Sequence, residues 1–99
     1  MTLEEFKESL VKSSPPERIN KPLQALWHDA KGNWDKAHGV AQSANDATGA
    51  WVHAYLHRKE GDASNASYWY SRASKTMPDM SLEEEWDQIT SELLAAKEG

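Results

Sequence analysis

The sequence predicts an all-α fold of about six helices, with antiparallel αα-hairpins stacked as a short solenoid between an N-terminal and a C-terminal helix. Three observations predict it. Apolar residues recur every three or four positions, and no stretch alternates apolar and polar residues as a strand does. Proline and glycine separate the apolar segments. Part of the chain also repeats, more weakly, after 29 residues, and such internal repetition is typical of stacked helical units.

The repeat appears when residues 54–73 are aligned with residues 25–44. At one shared position, Gly32 and Gly61 are suited to end a helix in the left-handed conformation. The next residue, Asn33 or Asp62, is suited to cap the helix that follows. The two copies therefore predict two helix–turn–helix units. The identical pairs are Ala25 and Ala54, His28 and His57, Gly32 and Gly61, Ala37 and Ala66, and Ala44 and Ala73.

The chain forms one predicted domain over residues 1–99, as its length suggests. Thr2 and Glu5 form a capping-box pattern that opens an N-terminal helix over residues 3–12, and Ser81 and Glu84 form another. The first hairpin is predicted over residues 22–44 and the second over residues 50–75. The closing helix is predicted over residues 82–97. With few large aliphatic residues and five tryptophans, the core must be built from aromatic residues and alanine.

The second copy combines small residues, a glycine turn, an aromatic residue and a terminal proline: Ala54, Gly61, Asp62, Ala66, Tyr70, Ala73 and Pro78. These positions resemble a tetratricopeptide repeat, a helix–turn–helix unit with small residues at the helix crossing and a terminal proline. The resemblance implies a concave groove that binds extended peptides, and it implies no metal ion. The segment WYSRA is similar to the shorter Sel1-type repeats, and WVHAYLHRKEGD resembles small uncharacterised bacterial proteins.

Composition limits the partners and the compartment. The absence of cysteine excludes disulfides and thiolate metal sites, and a cytoplasmic location is expected. No apolar run is long enough for a membrane span, and no signal-peptide pattern is found. A net charge of −5 disfavours nucleic acid. The charge is uneven, because residues 18–75 carry eight Lys/Arg against five Asp/Glu, whereas residues 76–99 carry one lysine against seven acids.

The leading functional hypothesis is a non-catalytic binding module for an acidic peptide, a chain terminus or a small anionic ligand. Trp51, Tyr55 and Arg58 recur at helical spacing, so one helix face presents two aromatic rings and a guanidinium, with Lys59 beside them. Such a face suits a carboxylate or a phosphate. The competing interpretation is that both rings are covered by the preceding hairpin, with Arg58 extending to solvent.

A rival hypothesis is a small metal-binding or hydrolytic protein that uses His28, His53 and His57. His53 and His57 are four residues apart on one helix face, and the repeat places His28 at the position of His57. Imidazoles at this spacing can share one ion. In the competing interpretation they are core histidines, each bonded to backbone or to Tyr70.

No catalytic constellation or phosphate loop is present, so an enzyme is the less favoured class, and no cofactor is predicted. Tyr68, Trp69 and Tyr70 are consecutive and cannot all face one side of a helix. We expect Tyr70 in the core. A weak homodimer is predicted through Tyr68 and Trp69, or through the far side of the last helix.

Overall fold

The computed structural model describes residues 1–98 and confirms the all-α prediction, with six α-helices and no strand in that range. The N-terminal helix is shorter than predicted, because a 3-10 turn over Ser9–Val11 replaces its last part. No helix of the described residues is both long and apolar enough to cross a membrane. The helices are α1 (Leu3–Glu8), α2 (Lys21–Ala30), α3 (Trp34–Ser43), α4 (Ala47–Glu60), α5 (Ala63–Arg72) and α6 (Leu82–Glu98).

Each helix begins where a short polar side chain accepts a hydrogen bond from a backbone N–H three residues further along the chain. Such a cap satisfies an N–H group that has no partner within the helix. In α1 and α6 the bond is reciprocated by Glu5 and Glu84, as the two capping-box patterns predict. The capping residues are Thr2, Asn20, Asn33, Asp46, Asp62 and Ser81.

The turns of the two hairpins have the same backbone geometry, as the aligned glycines predict. Gly32 and Gly61 have φ values of 84° and 90°, in the left-handed region. The next N–H reaches back five residues in both turns, from Asn33 to the carbonyl of His28 at 3.0 Å and from Asp62 to that of His57 at 2.9 Å. This is the Schellman arrangement, in which glycine avoids the steric cost of a Cβ. The α2–α3 and α4–α5 hairpins are thus similar local structures.

Helix α4 lies at the centre and packs against α2, α3, α5 and α6. Every residue from Gly49 to His57 is buried, so the helix is enclosed on all sides. Gly49 permits the close approach at its start, since a Cβ there would lie 2.4 Å from the carbonyl oxygen of Ala44. The close approach holds the end of α3 beside the start of α4. A polar side chain in the middle of α4 is therefore largely removed from bulk solvent, and leaving it without a partner costs free energy.

Tryptophan and phenylalanine form much of the core, as the composition predicts. Trp27 and Trp86 are almost fully buried, and Trp86 lies 5.9 Å from the ring of Phe6 between centroids. The indole of Trp27 donates to Ser9 Oγ at 3.1 Å, and that of Trp86 donates to the carbonyl of Leu26 at 3.0 Å. These bonds satisfy the polar atom that a buried indole brings with it, and they join the 3-10 turn after α1 to α2, and α2 to α6.

The three consecutive aromatic residues of α5 have different surroundings. Tyr70 is buried, as predicted, whereas Tyr68 is 54% exposed. Trp69 is half-buried and stacks on His53 at 4.0 Å between ring centroids. Tyr68 is therefore the residue of this group that leaves most apolar surface in solvent, and the weak homodimer through Tyr68 and Trp69 stays a prediction.

Candidate metal centre

Helix α4 supplies two neighbouring imidazoles from its buried middle and its last turn. His53 is 3% exposed and His57 is 6% exposed, and their ring centroids are 4.8 Å apart. The two side chains are adjacent because residues four positions apart lie on one helix face. Helical geometry alone therefore predicts that His53 and His57 are adjacent.

The third imidazole of the cluster is that of His38, on α3. Its ring centroid lies 4.6 Å from that of His53 and 5.1 Å from that of His57. The predicted third member, His28, is not in this cluster and packs edge-on against Trp27 at 5.2 Å. The carbonyls of His28 and His57 occupy equivalent positions in the two hairpin turns. Helix α3 rather than α2, however, carries the histidine that reaches the pair.

The three histidines can each offer a ring nitrogen, and these nitrogens all lie within 4.8 Å of one another. In a tetrahedral zinc site, ligand nitrogens at about 2.0–2.1 Å from the ion are roughly 3.4 Å apart. The upper limit of 4.8 Å is about 1.4 Å longer than that separation. His38 is only partly buried, so the cluster is accessible from the side of α3.

Two indoles enclose the cluster. Trp34 stacks on His38 with 4.8 Å between ring centroids and 12° between planes, and Trp69 stacks on His53 at 4.0 Å and 17°. The indole N–H of Trp34 donates to the carbonyl of Leu56 at 2.9 Å, which fixes this ring against α4. Aromatic walls restrict the imidazole orientations and lower the local polarity, and both effects influence a bound metal.

The surroundings favour the neutral imidazoles that metal binding requires. Burial lowers the pKa of His53 to about 4, with further contributions from His38 and His57. Burial also lowers the pKa of His38, assisted by His57 and opposed by Glu60 and Asp35. Both rings are therefore uncharged at neutral pH. Neither His38 nor His53 forms a hydrogen bond to a described protein group, so their lone pairs are not used by the fold.

Glu60 positions the third ring. Its Oε1 lies 2.6 Å from Nδ1 of His57. Because a carboxylate only accepts, Nδ1 carries the hydrogen, and in the neutral ring the lone pair is on Nε2. A carboxylate bonded to the distal nitrogen of a ligating histidine is the usual supporting contact in metal sites. Asp62 lies close to both groups but is used as the cap of α5.

The predicted anion-binding residues do not share one open face. Trp51 is 7% exposed and Tyr55 is 2% exposed. The ammonium of Lys75 lies 4.2 Å from the Trp51 ring centroid and covers it. Arg58 and Lys59 are both paired with carboxylates from other helices. The burial of the two rings agrees with the competing interpretation. The pairing of Arg58 with a carboxylate differs from it, because that interpretation has Arg58 extending to solvent.

These pairings belong to two buried networks, each built around one carboxylate. In the Asp29 network, the hydroxyl of Tyr55 and the ammonium of Lys59 each donate to Asp29 at 2.9 Å. In the Glu85 network, Arg58 and Tyr70 donate to Glu85 at 2.8 and 2.6 Å. Burial raises the pKa of both tyrosines, so they remain neutral donors. Tyr70 consequently bonds to a carboxylate and not to a histidine.

A groove of about 540 Å³ does lie beside two of the predicted residues, Tyr55 and Lys59. It runs between α1, α2, α4 and α6, and its walls are mainly apolar. The charged residues around it are largely paired with each other, since Lys7 bonds to Asp87 at 3.0 Å and Lys59 bonds to Asp29. Its remaining lining residues include Leu10, Ala30, Leu82, Glu83 and Trp86.

The fold and the cluster define a small all-α protein in which three histidines from α3 and α4 converge on one side of the central helix α4. Comparison of the chain with protein-family models, with curated proteins and with solved structures gave no match. The function must therefore be argued from the side chains themselves.

Proposed function

We propose that this protein binds a divalent transition-metal ion, of the zinc or nickel type, through His38, His53 and His57. The observation that carries the proposal is the convergence of three imidazole nitrogens, from two helices, within 4.8 Å of one another. Neutral rings at His38 and His53, and the Glu60 carboxylate on His57, support it.

The ligand chemistry selects the class of ion. Imidazole nitrogens suit zinc, nickel and copper, whereas magnesium and calcium prefer oxygen ligands. Three protein ligands also leave one position of a tetrahedral site open for water or a small ligand. The proposal therefore includes metal carriage and, as a narrower form, metal-assisted hydrolysis through a bound water.

The alternative, an anionic ligand held by Trp51, Tyr55, Arg58 and Lys59, has weaker support. A ligand at Arg58 would have to displace Glu85, which is 1% exposed, and a ligand at Lys59 would compete with Asp29. Removing one partner from a buried charge pair such as Arg58 and Glu85 typically costs about 3–5 kcal/mol. The anion would have to offset that cost before any net binding appeared.

The test is titration with Zn²⁺, Ni²⁺ and Mg²⁺, followed by calorimetry and thermal unfolding. At a hundred times Kd, a bound ion adds about 2.7 kcal/mol to the free energy of unfolding. For a domain of this size, that stabilisation raises Tm by roughly 10–20 °C. We expect this shift with Zn²⁺ or Ni²⁺ and no comparable shift with Mg²⁺.

His28→Ala is the matched control, because it removes a half-buried histidine outside the cluster. We expect His38→Ala and His53→Ala to abolish the metal-dependent shift and His28→Ala to retain it. Absence of a shift in the wild type, or equal losses in all three variants, would contradict the proposed site.

A further inference from the structure

The three histidines differ in what supports them. His57 has Glu60 at its Nδ1, whereas neither ring nitrogen of His53 is bonded to a described protein group. A ligating histidine nearly always donates its other N–H to a carboxylate, a carbonyl or a water. If His53 binds the ion through one nitrogen, its second nitrogen requires an acceptor that the described fold does not supply.

A polar groove lies beside His53 and is named here the His53 groove. It has a volume of about 270 Å³ and lies between the end of α3, the start of α4 and α5. Small residues such as Ala44 and Gly49 leave the space, and His53, Gln42, Asn45 and Arg72 provide polar groups around it. A cavity needs about 10–15 Å³ on this measure to hold one water, so the groove has room for a molecule of a few heavy atoms.

Arg72 gives the His53 groove a cation that the fold does not neutralise. Its guanidinium carbon lies 5.2 Å from the Trp69 ring centroid, and its Nη1 donates to the Tyr68 hydroxyl at 3.1 Å. No described carboxylate pairs with it, in contrast to Arg58 and Lys59. Because Trp69 in turn stacks on His53, Arg72 and His53 both contact one indole, and both line the His53 groove.

One carboxylate, that of Asp46, also lines the His53 groove. Its Oδ1 accepts hydrogen bonds from the Gly49 N–H at 2.8 Å and the Thr48 hydroxyl at 3.0 Å. Asp46 is therefore used as the cap of α4, which reduces its competition for Arg72. The guanidinium with its fork of donors remains the group in this groove best suited to a planar oxyanion.

We propose that a small carboxylate binds in the His53 groove between His53 and Arg72 and strengthens metal binding at the three histidines. The inference rests on the proposed metal site. The carboxylate accepts from the His53 N–H that faces away from the ion and from the Arg72 guanidinium. Because coupling between two ligands is reciprocal, the ion strengthens carboxylate binding by the same factor.

The experiment measures the Kd of Ni²⁺ by calorimetry in a chloride buffer and in the same buffer with acetate added. We expect acetate to lower the Kd on the order of tenfold, within the usual range of such couplings. Arg72→Gln should lose the acetate effect and keep its affinity in chloride. Because acetate also complexes free Ni²⁺, the effect is taken as the difference between wild type and Arg72→Gln in identical buffers.

Lys75→Gln is the matched control. It removes one positive charge from a residue that lies over Trp51 and outside the His53 groove, so it should retain the acetate effect. A second measurement uses the zinc-loaded protein, in which acetate should shift the NMR signal of the Trp69 indole N–H in the wild type and not in Arg72→Gln.

The outcomes separate the two proposals. Absence of metal binding by the wild type in either buffer overturns the metal site and, with it, the carboxylate site. Metal binding that is insensitive to acetate overturns the carboxylate site alone. An acetate effect of equal size in Arg72→Gln also overturns it, since the guanidinium would then have no part in binding.

Discussion

Helix α4 carries polar side chains on two faces that differ in their hydrogen bonding within the protein. On one face, Tyr55 and Lys59 both bond to Asp29, which has a donor on each carboxylate oxygen. On the other face, His53 is equally buried but bonds to no described protein group. The polar groups of the first face have their partners within the protein, whereas the second face leaves nitrogen lone pairs in the histidine cluster.

The two faces differ in how far the fold itself satisfies their polar groups. A buried polar group without a partner costs free energy, so folds normally satisfy such groups. The Asp29 and Glu85 networks follow that rule and join α4 to α2, α5 and α6. In the histidine cluster His57 bonds to Glu60, whereas His38 and His53 bond to no described protein group, so their ring nitrogens remain for solvent or a ligand.

The largest expected effect comes from a substitution in the Glu85 network, whose polar groups are paired within the protein. Glu85→Gln removes the charge that pairs with Arg58 and accepts from Tyr70. It leaves a largely buried guanidinium without its counterion, and we expect the free energy of unfolding to fall by about 3 kcal/mol. Urea denaturation followed by circular dichroism measures the change.

Glu83→Gln is the control for that experiment, because Glu83 is exposed on the same helix and belongs to neither network. It should change stability by less than about 0.5 kcal/mol. Equal effects of the two substitutions would show that the Glu85 network does not stabilise the fold, and the contrast between the faces of α4 would be lost.

The next expected effect is a loss of folding stability at lower pH, caused by the histidine cluster in the absence of metal. The pKa of His53 is about 4 in the folded protein and about 6.5 in an unfolded chain. Between these values the unfolded chain binds a proton that the folded protein does not, so stability falls as the pH falls. From pH 7 to pH 5 the loss from this residue is about 2 kcal/mol, and His38, whose pKa is also lowered, adds to it.

His53→Phe tests that attribution, because phenylalanine keeps a ring beside Trp69 and cannot take up a proton. Chemical denaturation in the presence of a chelator, at pH 7 and at pH 5, should show a loss about 2 kcal/mol smaller in the variant than in the wild type. The same loss in both proteins would mean that His53 is not the group responsible.

Local features of the fold could be predicted from the sequence, because each depends on a few neighbouring residues. Gly32 and Gly61 adopt the left-handed conformation expected of them, and Asn33 and Asp62 cap the helices that follow. These signals also set the ends of the hairpins to within a few residues. The tetratricopeptide resemblance concerns the order in which hairpins stack, which such local signals do not determine, and it stays a prediction.

The candidate site could be predicted only in part, for the same reason. His53 and His57 are paired by helical spacing alone, whereas His38 joins them through the packing of α3 on α4. The sequence carries one indication that α3 contributes to the cluster. Trp34 and His38 are four residues apart, so an indole and an imidazole share one face of that helix. The ion pair of Arg58 could not be predicted from neighbouring residues. Its partner, Glu85, is 27 residues away and lies in a run of acidic residues that is typical of an exposed helix face.

The smallest expected effect extends the comparison to α6, where Thr90 is fully buried and its hydroxyl has no partner among the described residues. An unsatisfied buried oxygen of this kind carries a free-energy cost. Thr90→Val replaces the hydroxyl by a methyl group of similar size, and we expect the free energy of unfolding to rise by about 1 kcal/mol. Thermal and urea unfolding should both show the gain, and metal affinity should not change. A loss of stability instead would show that the hydroxyl has a partner in solution, and an altered metal affinity would show that α6 is coupled to the histidine cluster.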